Sequence, residues 1–281
     1  MSLGILTNVA ATYAQNNLNQ TQGSLQTVLQ QLSSGSRINS GADDAAGLSV
    51  ADGLKANQAA LTQSAQNAQN GIGLLQTADG ALSQVTNLLD RATTLATEAM
   101  NGGLTTAQTT AANTEFQSIV TEINNIGTAT NFNSSTVFSA TATNFVVTDG
   151  TAAGTTTIAA TVGALTSGSV GTATGGGAGA SLTGLTLVTG ATAALAAVNS
   201  AITDVSNQRG AIGASINQLS AAANVASTEN VNLSSAESSI RSTNYGQAAS
   251  DLAKFQVLDQ TGISALAQAN SVQRDILKLI Q

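Results

Sequence analysis

Two ladders of apolar residues at seven-residue spacing constrain this chain more than any other feature. The first runs Leu54, Leu61, Ala68, Leu75, Leu82, Leu89 and Ala96, with Ala65, Ile72, Val85 and Ala92 widening the stripe. The second runs Val198, Val205, Ile212, Leu219, Ala226, Leu233 and Ile240, supported by Ile202, Ile216 and Ala222. Each predicts a helix of roughly 65–70 Å at 1.5 Å per residue. A repeat sustained over so many turns predicts coiled-coil-like pairing with another helix. Nothing in the chain opposes such length. A chain of this size carries about fourteen prolines at the average usage of ~5%, and this one has none.

Shorter stripes mark both ends. Leu18, Leu25 and Leu32, with Val28 and Leu29, predict an N-terminal helix; Leu252, Phe255, Leu258, Leu266, Ala269, Leu277 and Ile280 predict a C-terminal one. Chain ends usually fray, so stripes carried this far imply that something else covers them.

Between the ladders the composition changes. Asp149 is the only charged residue from Ile123 to Thr203, and residues 141–190 contain eleven glycines. Three short runs have strand character: Asn144–Thr148, Thr155–Ile158 and Leu185–Val188. Asp149-Gly150 is a hairpin turn signal between the first two. Gly175–Gly179 reads as a flexible tip. The expected order is helix, helix, small β excursion, helix, helix. The fold class is mainly α: long antiparallel coiled-coil-like helices from both chain ends, with a small β-hairpin-containing middle segment.

Function classes fall away on composition. With no Cys there is no thiolate nucleophile or cysteine–zinc site, and with no His the commonest general base and transition-metal ligand are missing. No catalytic residue, metal or cofactor is expected, and the chain is read as no enzyme. The net charge of −7 argues against a phosphate-tracking nucleic-acid binder. No window approaches the ~20 apolar residues of a membrane span, and the N-terminal residues lack the basic start and apolar run of a signal peptide.

Asp43-Asp44 is the one tight carboxylate pair. Its reading is helix capping: Asn39 to Asp44 precede a helix that begins near Ala45. The glycine cluster lacks both the phosphate-loop lysine and a dinucleotide fingerprint. Asn-x-Ser/Thr at Asn19, Asn133 and Asn232 is frequent by chance in such a composition. The Ser/Thr-rich residues 134–192 read equally well as solvated loops or as acceptors of O-linked sugar. Arg37, Arg91, Arg209 and Arg241 lie on helical segments, either paired in fork geometry or solvated.

The segment Leu32-Ser33-Ser34-Gly35-Ser36-Arg37-Ile38-Asn39-Ser40-Gly41-Ala42-Asp43-Asp44-Ala45-Ala46-Gly47-Leu48 resembles the hallmark N-terminal motif of bacterial flagellins. Ser239-Ile240-Arg241, Asn244-Tyr245, Gln260-Thr261-Gly262 and Leu266-Ala267-Gln268-Ala269-Asn270 resemble the C-terminal one. The likeness covers residues 1–140 and 190–281, about four-fifths of the chain. Departures are Gly41-Ala42 where a Lys is usual before the Asp pair, Ser242-Thr243-Asn244 for a more acidic run, and Gln273 where Pro is common.

The resemblance implies a short filament subunit without large outer domains. It places residues 1–43 and 241–281 in an inner tube, 44–140 and 191–240 in an outer helical domain, and 141–190 as a small β-rich surface excursion. Subunit packing is then expected at Leu18, Leu25, Leu32, Leu252, Phe255, Leu258, Leu266, Leu277 and Ile280, with terminal segments that order on assembly. By motif position, Arg91, Leu95 and Glu115 match family residues that contact an innate Toll-like receptor, with Leu95 as an apolar anchor. The implied partners are copies of itself, an export chaperone and a filament cap, with no nucleic acid and no membrane insertion. The implied place is the extracellular flagellum, reached without a cleaved signal peptide. A hook–filament junction protein, which shares the terminal helices, is the alternative; an enzyme in the middle segment is disfavoured by the missing His and Cys.

Overall fold

The computed structural model describes residues 8–139, 141–151, 156–171 and 179–280, the last six of these by backbone only. Its elements are α1 (Val9–Ser34), α2 (Ala45–Ala99), α3 (Thr106–Ala129), β1 (Asn131–Phe132), β2 (Ser135–Thr136), β3 (Thr143–Val147), β4 (Thr156–Ala160), α4 (Leu187–Arg241) and α5 (Tyr245–Ile280). The fold is mainly α, with long helices from both halves of the chain and two small antiparallel hairpins between them. The chain divides into two compact units, residues 1–56 with 232–281, and residues 57–231.

Polar side chains next to the helix ends satisfy the orphan backbone groups. The Asn8 side chain accepts from Ala11 N–H and opens α1. Gly35, left-handed at φ 70°, closes it with its N–H on the Gln31 carbonyl. Asp44 Oδ1 accepts from Gly47 N–H at 2.8 Å and opens α2. Thr105 and Gln108 form a reciprocal capping box at α3, and Asn244 caps α5 through Gly246 and Gln247 N–H.

In the unit of residues 57–231, α2 and α4 run antiparallel. Asn230 Nδ2 donates to the Gln58 carbonyl at 2.8 Å, and Arg209 forks onto Asp79 with its shorter bond at 2.7 Å. The ladder residues Leu61, Ala68, Leu75, Leu82, Leu89 and Ala96 meet Val198, Val205, Ile212, Leu219 and Ala226 as the buried interior. Helix α3 closes this core with Phe116, Ile119, Val120 and Ile123. That helix is additional to the expected order; the exposed Asn101-Gly102-Gly103 turn and the Thr105 capping box are its boundary.

The hairpin expected around Asp149-Gly150 forms, with Thr143 opposite Ala160 and Val147 opposite Thr156; Gly150 takes φ +85° in its turn. Thr155 lies outside the described residues, as do residues 175–178 of the glycine tip. The outer edge of β3 is held by α2: Ser64 Oγ donates to the Thr148 carbonyl at 2.6 Å and accepts from Thr148 N–H, while Asn67 Nδ2 donates to the Val146 carbonyl at 3.1 Å.

Leu185–Val188 is not a strand. It is the entry to α4, and its backbone groups are met by α3: Gln117 Nε2 donates to the Leu185 carbonyl, and Asn113 Oδ1 accepts from Leu187 N–H. Non-helical Gly190 then kinks the start of the helix. The same device holds the chain before it. Gln208 binds the Gly163 carbonyl, Asn124 binds Ser167 N–H and Asp204 binds Ala180 N–H. Helix side chains take the place of the sheet partners that such a polar segment lacks.

Candidate functional site

The two terminal helices form the first candidate surface. The antiparallel pairing expected of helices from both chain ends forms between α1 and α5. Asn8 Nδ2 donates to the Ala269 carbonyl at 3.0 Å, and Gln22 Nε2 donates to Asp259 Oδ1 at 3.2 Å. Leu18 lies over Gly262, so close that a methyl at that glycine would sit 3.2 Å from Leu18 Cδ1. Leu18, Leu25, Leu32, Leu252, Phe255 and Leu266 are half-buried by this pairing, and Leu258 is 42% exposed. Leu277 and Ile280 lie beyond the described side chains.

Two helices alone cover one stripe each and leave the remaining flanks wet. Val9, Tyr13, Leu29, Val257, Ile263 and Val272 stay exposed, Tyr13 at 68%. Val28 and Ala248 are the described apolar residues of the pair that reach full burial. Exposed apolar side chains on both helices of the pair are open to burial against a further partner.

The second feature is the joint where both long helices end. Ser36 and Ser242 form an antiparallel bridge; Arg37 N–H donates to the Arg241 carbonyl at 2.7 Å and Thr243 N–H to the Gly35 carbonyl at 3.0 Å. The Arg37 guanidinium caps α4 through the Ile240 carbonyl. Arg241 faces Glu237 at 3.6 Å and Asp52 at 3.8 Å. Asp43 accepts from Asn39 N–H, Ser40 N–H and the Ser40 hydroxyl. The backbone N–H of Asn39, followed by the two Ser40 donors, holds its carboxyl below the ordinary range. Asp44 thus caps α2, the reading taken from the spacing of the pair, whereas Asp43 ties back the Asn39–Ser40 loop ahead of the helix.

Arg91 and Glu115 make an exposed bidentate pair between α2 and α3, at 2.7 and 3.0 Å. The hydrogen bonding of the pair raises Arg91 and lowers Glu115 from their ordinary values. Leu95 is different. It is 2% exposed among the core residues, where it cannot act as the free apolar anchor expected of it.

Among the described residues no group of His, Cys, Asp or Glu is placed to hold a metal, and no helix is long and apolar enough to cross a membrane. An open groove of about 330 Å³ lies between the β3–β4 hairpin and α2 and α4, lined by Leu61, Val147, Ala222, Val225 and Ala226 with Glu229 at its edge.

The family model described as the bacterial flagellin N-terminal helical region matches residues 5–143, and that of the flagellin C-terminal helical region matches residues 195–280. The chain is 30% identical to a flagellin of Listeria innocua, covering 98% of both chains. It is 31% identical to a flagellin of Bacillus subtilis, again over 98% of each. The crystal structure of Bacillus cereus flagellin aligns with 57% of this chain and 88% of that one, at 25% identity and a TM-score of 0.46.

Proposed function

We propose, from the premise that this chain belongs to the bacterial flagellin family and is a structural subunit of the extracellular flagellar filament, that its paired α1 and α5 helices carry polymerisation. The observation behind this is the apolar face that the pairing leaves exposed. Each subunit repeats a contact whose rotation does not close, which yields an open helical polymer. In this reading residues 1–43 and 241–281 form the inner layer, 44–140 and 191–240 the outer helical layer, and 141–190 the surface excursion. Leu18, Leu25, Leu32, Leu252, Phe255, Leu258, Leu266, Leu277 and Ile280 pack the inner layer.

Magnitudes favour a lattice over a dimer. Fully covering Val9, Tyr13, Val257 and Ile263 contributes at most about 6–12 kcal/mol, at ~1.5–3 kcal/mol per side chain. Association costs on the order of 4–15 kcal/mol in lost freedom. One contact is near balance, whereas a subunit with several neighbours loses that freedom once and gains at each face. The low charge, 8% of residues, keeps desolvation in the wall small. The absence of Cys suits passage as an unfolded chain through an export channel, with a chaperone before export and a cap at the growing end.

Val257→Asp and Ile263→Asp test the assembly surface. Both positions are exposed in the single chain, so each variant should melt like the parent yet fail to form filaments by electron microscopy. Polymer of normal length from both variants would sink the reading, and short rings from the parent would point to the junction protein.

A second reading concerns the Toll-like receptor. The exposed Arg91–Glu115 pair supports it, as a charged patch that a partner could engage through Arg91; Leu95 is core and takes no part. Equal reporter signals from the parent and Arg91→Ala would remove it.

A further inference from the structure

Asn101 and Gly102 stand exposed in the turn that joins α2 to α3. Asn101 Oδ1 accepts from Gly103 N–H at 3.2 Å, an Asx turn that folds the carboxamide back over the Gly102 peptide. Among the described residues the Gly102 N–H donates to nothing. Space is open as well: a Cβ built on Gly102 meets no atom within 4 Å. A free backbone nitrogen thus lies next to a carboxamide whose carbonyl oxygen is already hydrogen-bonded.

We infer that Asn101 is a built-in site of spontaneous deamidation, converting in the folded chain to aspartate and isoaspartate through a succinimide. The Gly102 nitrogen, giving up its proton to solvent base, attacks Asn101 Cγ. The N–Cγ bond forms, the Cγ–Nδ2 bond breaks, and Nδ2 takes a proton and leaves as ammonia. Water then opens the ring. Cleavage of the new N–Cγ bond leaves aspartate; cleavage of the original main-chain bond leaves isoaspartate, with one extra methylene in the backbone. The Gly103 N–H polarises the Cγ carbonyl and faces the negative charge that grows on Oδ1 during attack. No oxidant or reductant takes part.

The molecule carries its own control. Asn70-Gly71 is the same dipeptide in the interior of α2, where the Gly71 N–H belongs to the helix ladder. Gly71 is also tightly packed, with Leu219 Cδ1 at 2.9 Å and Phe145 at 3.0 Å from a built Cβ. Asp149-Gly150 is blocked otherwise: the Gly150 N–H donates to Thr148 Oγ1 at 3.1 Å, and the Thr151 N–H holds the Asp149 carboxyl ionised, a poor electrophile. The products at Asn101 are compatible with the fold. The first turn of α3 has no acidic residue, and a new carboxylate ahead of it meets the positive end of the helix dipole.

The test uses the full-length chain held at mildly alkaline pH and followed by peptide mapping with mass spectrometry. The Asn101 peptide should gain the mass of an NH2-to-OH exchange and split into aspartate and isoaspartate forms, while the Asn70 peptide stays unchanged. Gly102→Ala, which the open space allows to fold, should slow the conversion several-fold by hindering attack. In denaturant, Asn70 should rise to the rate of Asn101. Equal rates at the two asparagines in the folded chain, no slowing in Gly102→Ala, or an inert Asn70 in denaturant would each overturn the assignment.

Discussion

The side-chain amide of Asn8 donates to the carbonyl of Ala269 at 3.0 Å, joining positions 261 residues apart. With Gln22 on Asp259 it sets the register in which α1 and α5 share their apolar stripes, so neither helix keeps its cover without the other.

Removing residues 244–281 should therefore abolish filaments. Leu18, Leu25 and Leu32 lose the helix that half-buries them, while residues 57–231 form a separate compact unit. Sedimentation and electron microscopy should find no polymer, with a melting transition retained. Normal filaments from the truncated chain would refute terminal pairing as the basis of assembly.

Tyrosine emission reports on the same surface. The chain has no Trp, and Tyr13 and Tyr245 are its two tyrosines, 68% and 59% exposed. Neighbouring subunits that cover the terminal pair should reduce acrylamide quenching on polymerisation, and Tyr245→Phe should isolate the change at Tyr13. Unchanged quenching in filaments would mean that the face around Tyr13 stays wet.

Burial and charge make unequal contributions to the helical core. Leu82 is fully buried, and Leu82→Ala should cost about 2–5 kcal/mol. Asp79→Asn breaks the fork to Arg209, but both partners are more than a third exposed, so the loss should be about 0–1 kcal/mol. Chemical denaturation of the monomer compares the two, and a larger loss at Asp79 would reverse the ranking.

Two glycines should respond with opposite sign to alanine. Gly80 lies within α2 with nothing near a built Cβ, so Gly80→Ala should stabilise by about 0.5–1 kcal/mol through lower unfolded-state entropy. At Gly127 the Leu165 carbonyl passes where the methyl would go, and Gly127→Ala should destabilise by about 1–3 kcal/mol through overpacking. Thermal melts of both decide it.

Acid should loosen the loop that Asp43 ties back. Hydrogen bonds from Asn39 and Ser40 depress its folded pKa below the ordinary 3.8. The stabilisation it gives is present above that value and is lost as pH falls through the lower folded one. The melting temperature should fall below about pH 4, with Glu115 and Asp149, also depressed, contributing to the slope. Asp43→Asn should flatten that dependence. An unaltered acid profile would show that this carboxylate is not coupled to folding.

Much of this architecture is legible one residue at a time. The seven-residue ladders, unbroken by proline, dictate long helices because every seventh side chain returns to nearly the same face of the helix. Asp43-Asp44 reads as a cap and Asp149-Gly150 as a turn because each involves only near neighbours along the chain. The Leu185–Val188 run misleads for the converse reason. Its partners are Gln117 and Asn113, distant in sequence, and a local pattern carries no record of them.

Tertiary structure alone decided where each stripe found its cover. Leu89 and Leu95 lie on the same helix and both read as apolar, and so do Leu258 and Val257 on another. Leu95 is buried because α3, marked in sequence by its capping box and by the helical spacing of Phe116, Ile119, Val120 and Ile123, folds back to complete the core. Leu258 and Val257 are left in water because the α1–α5 pair has just one shared seam. Periodicity determines which side chains share a face. Which faces are satisfied within one chain depends on how many helices surround each, and that number is a property of the folded molecule.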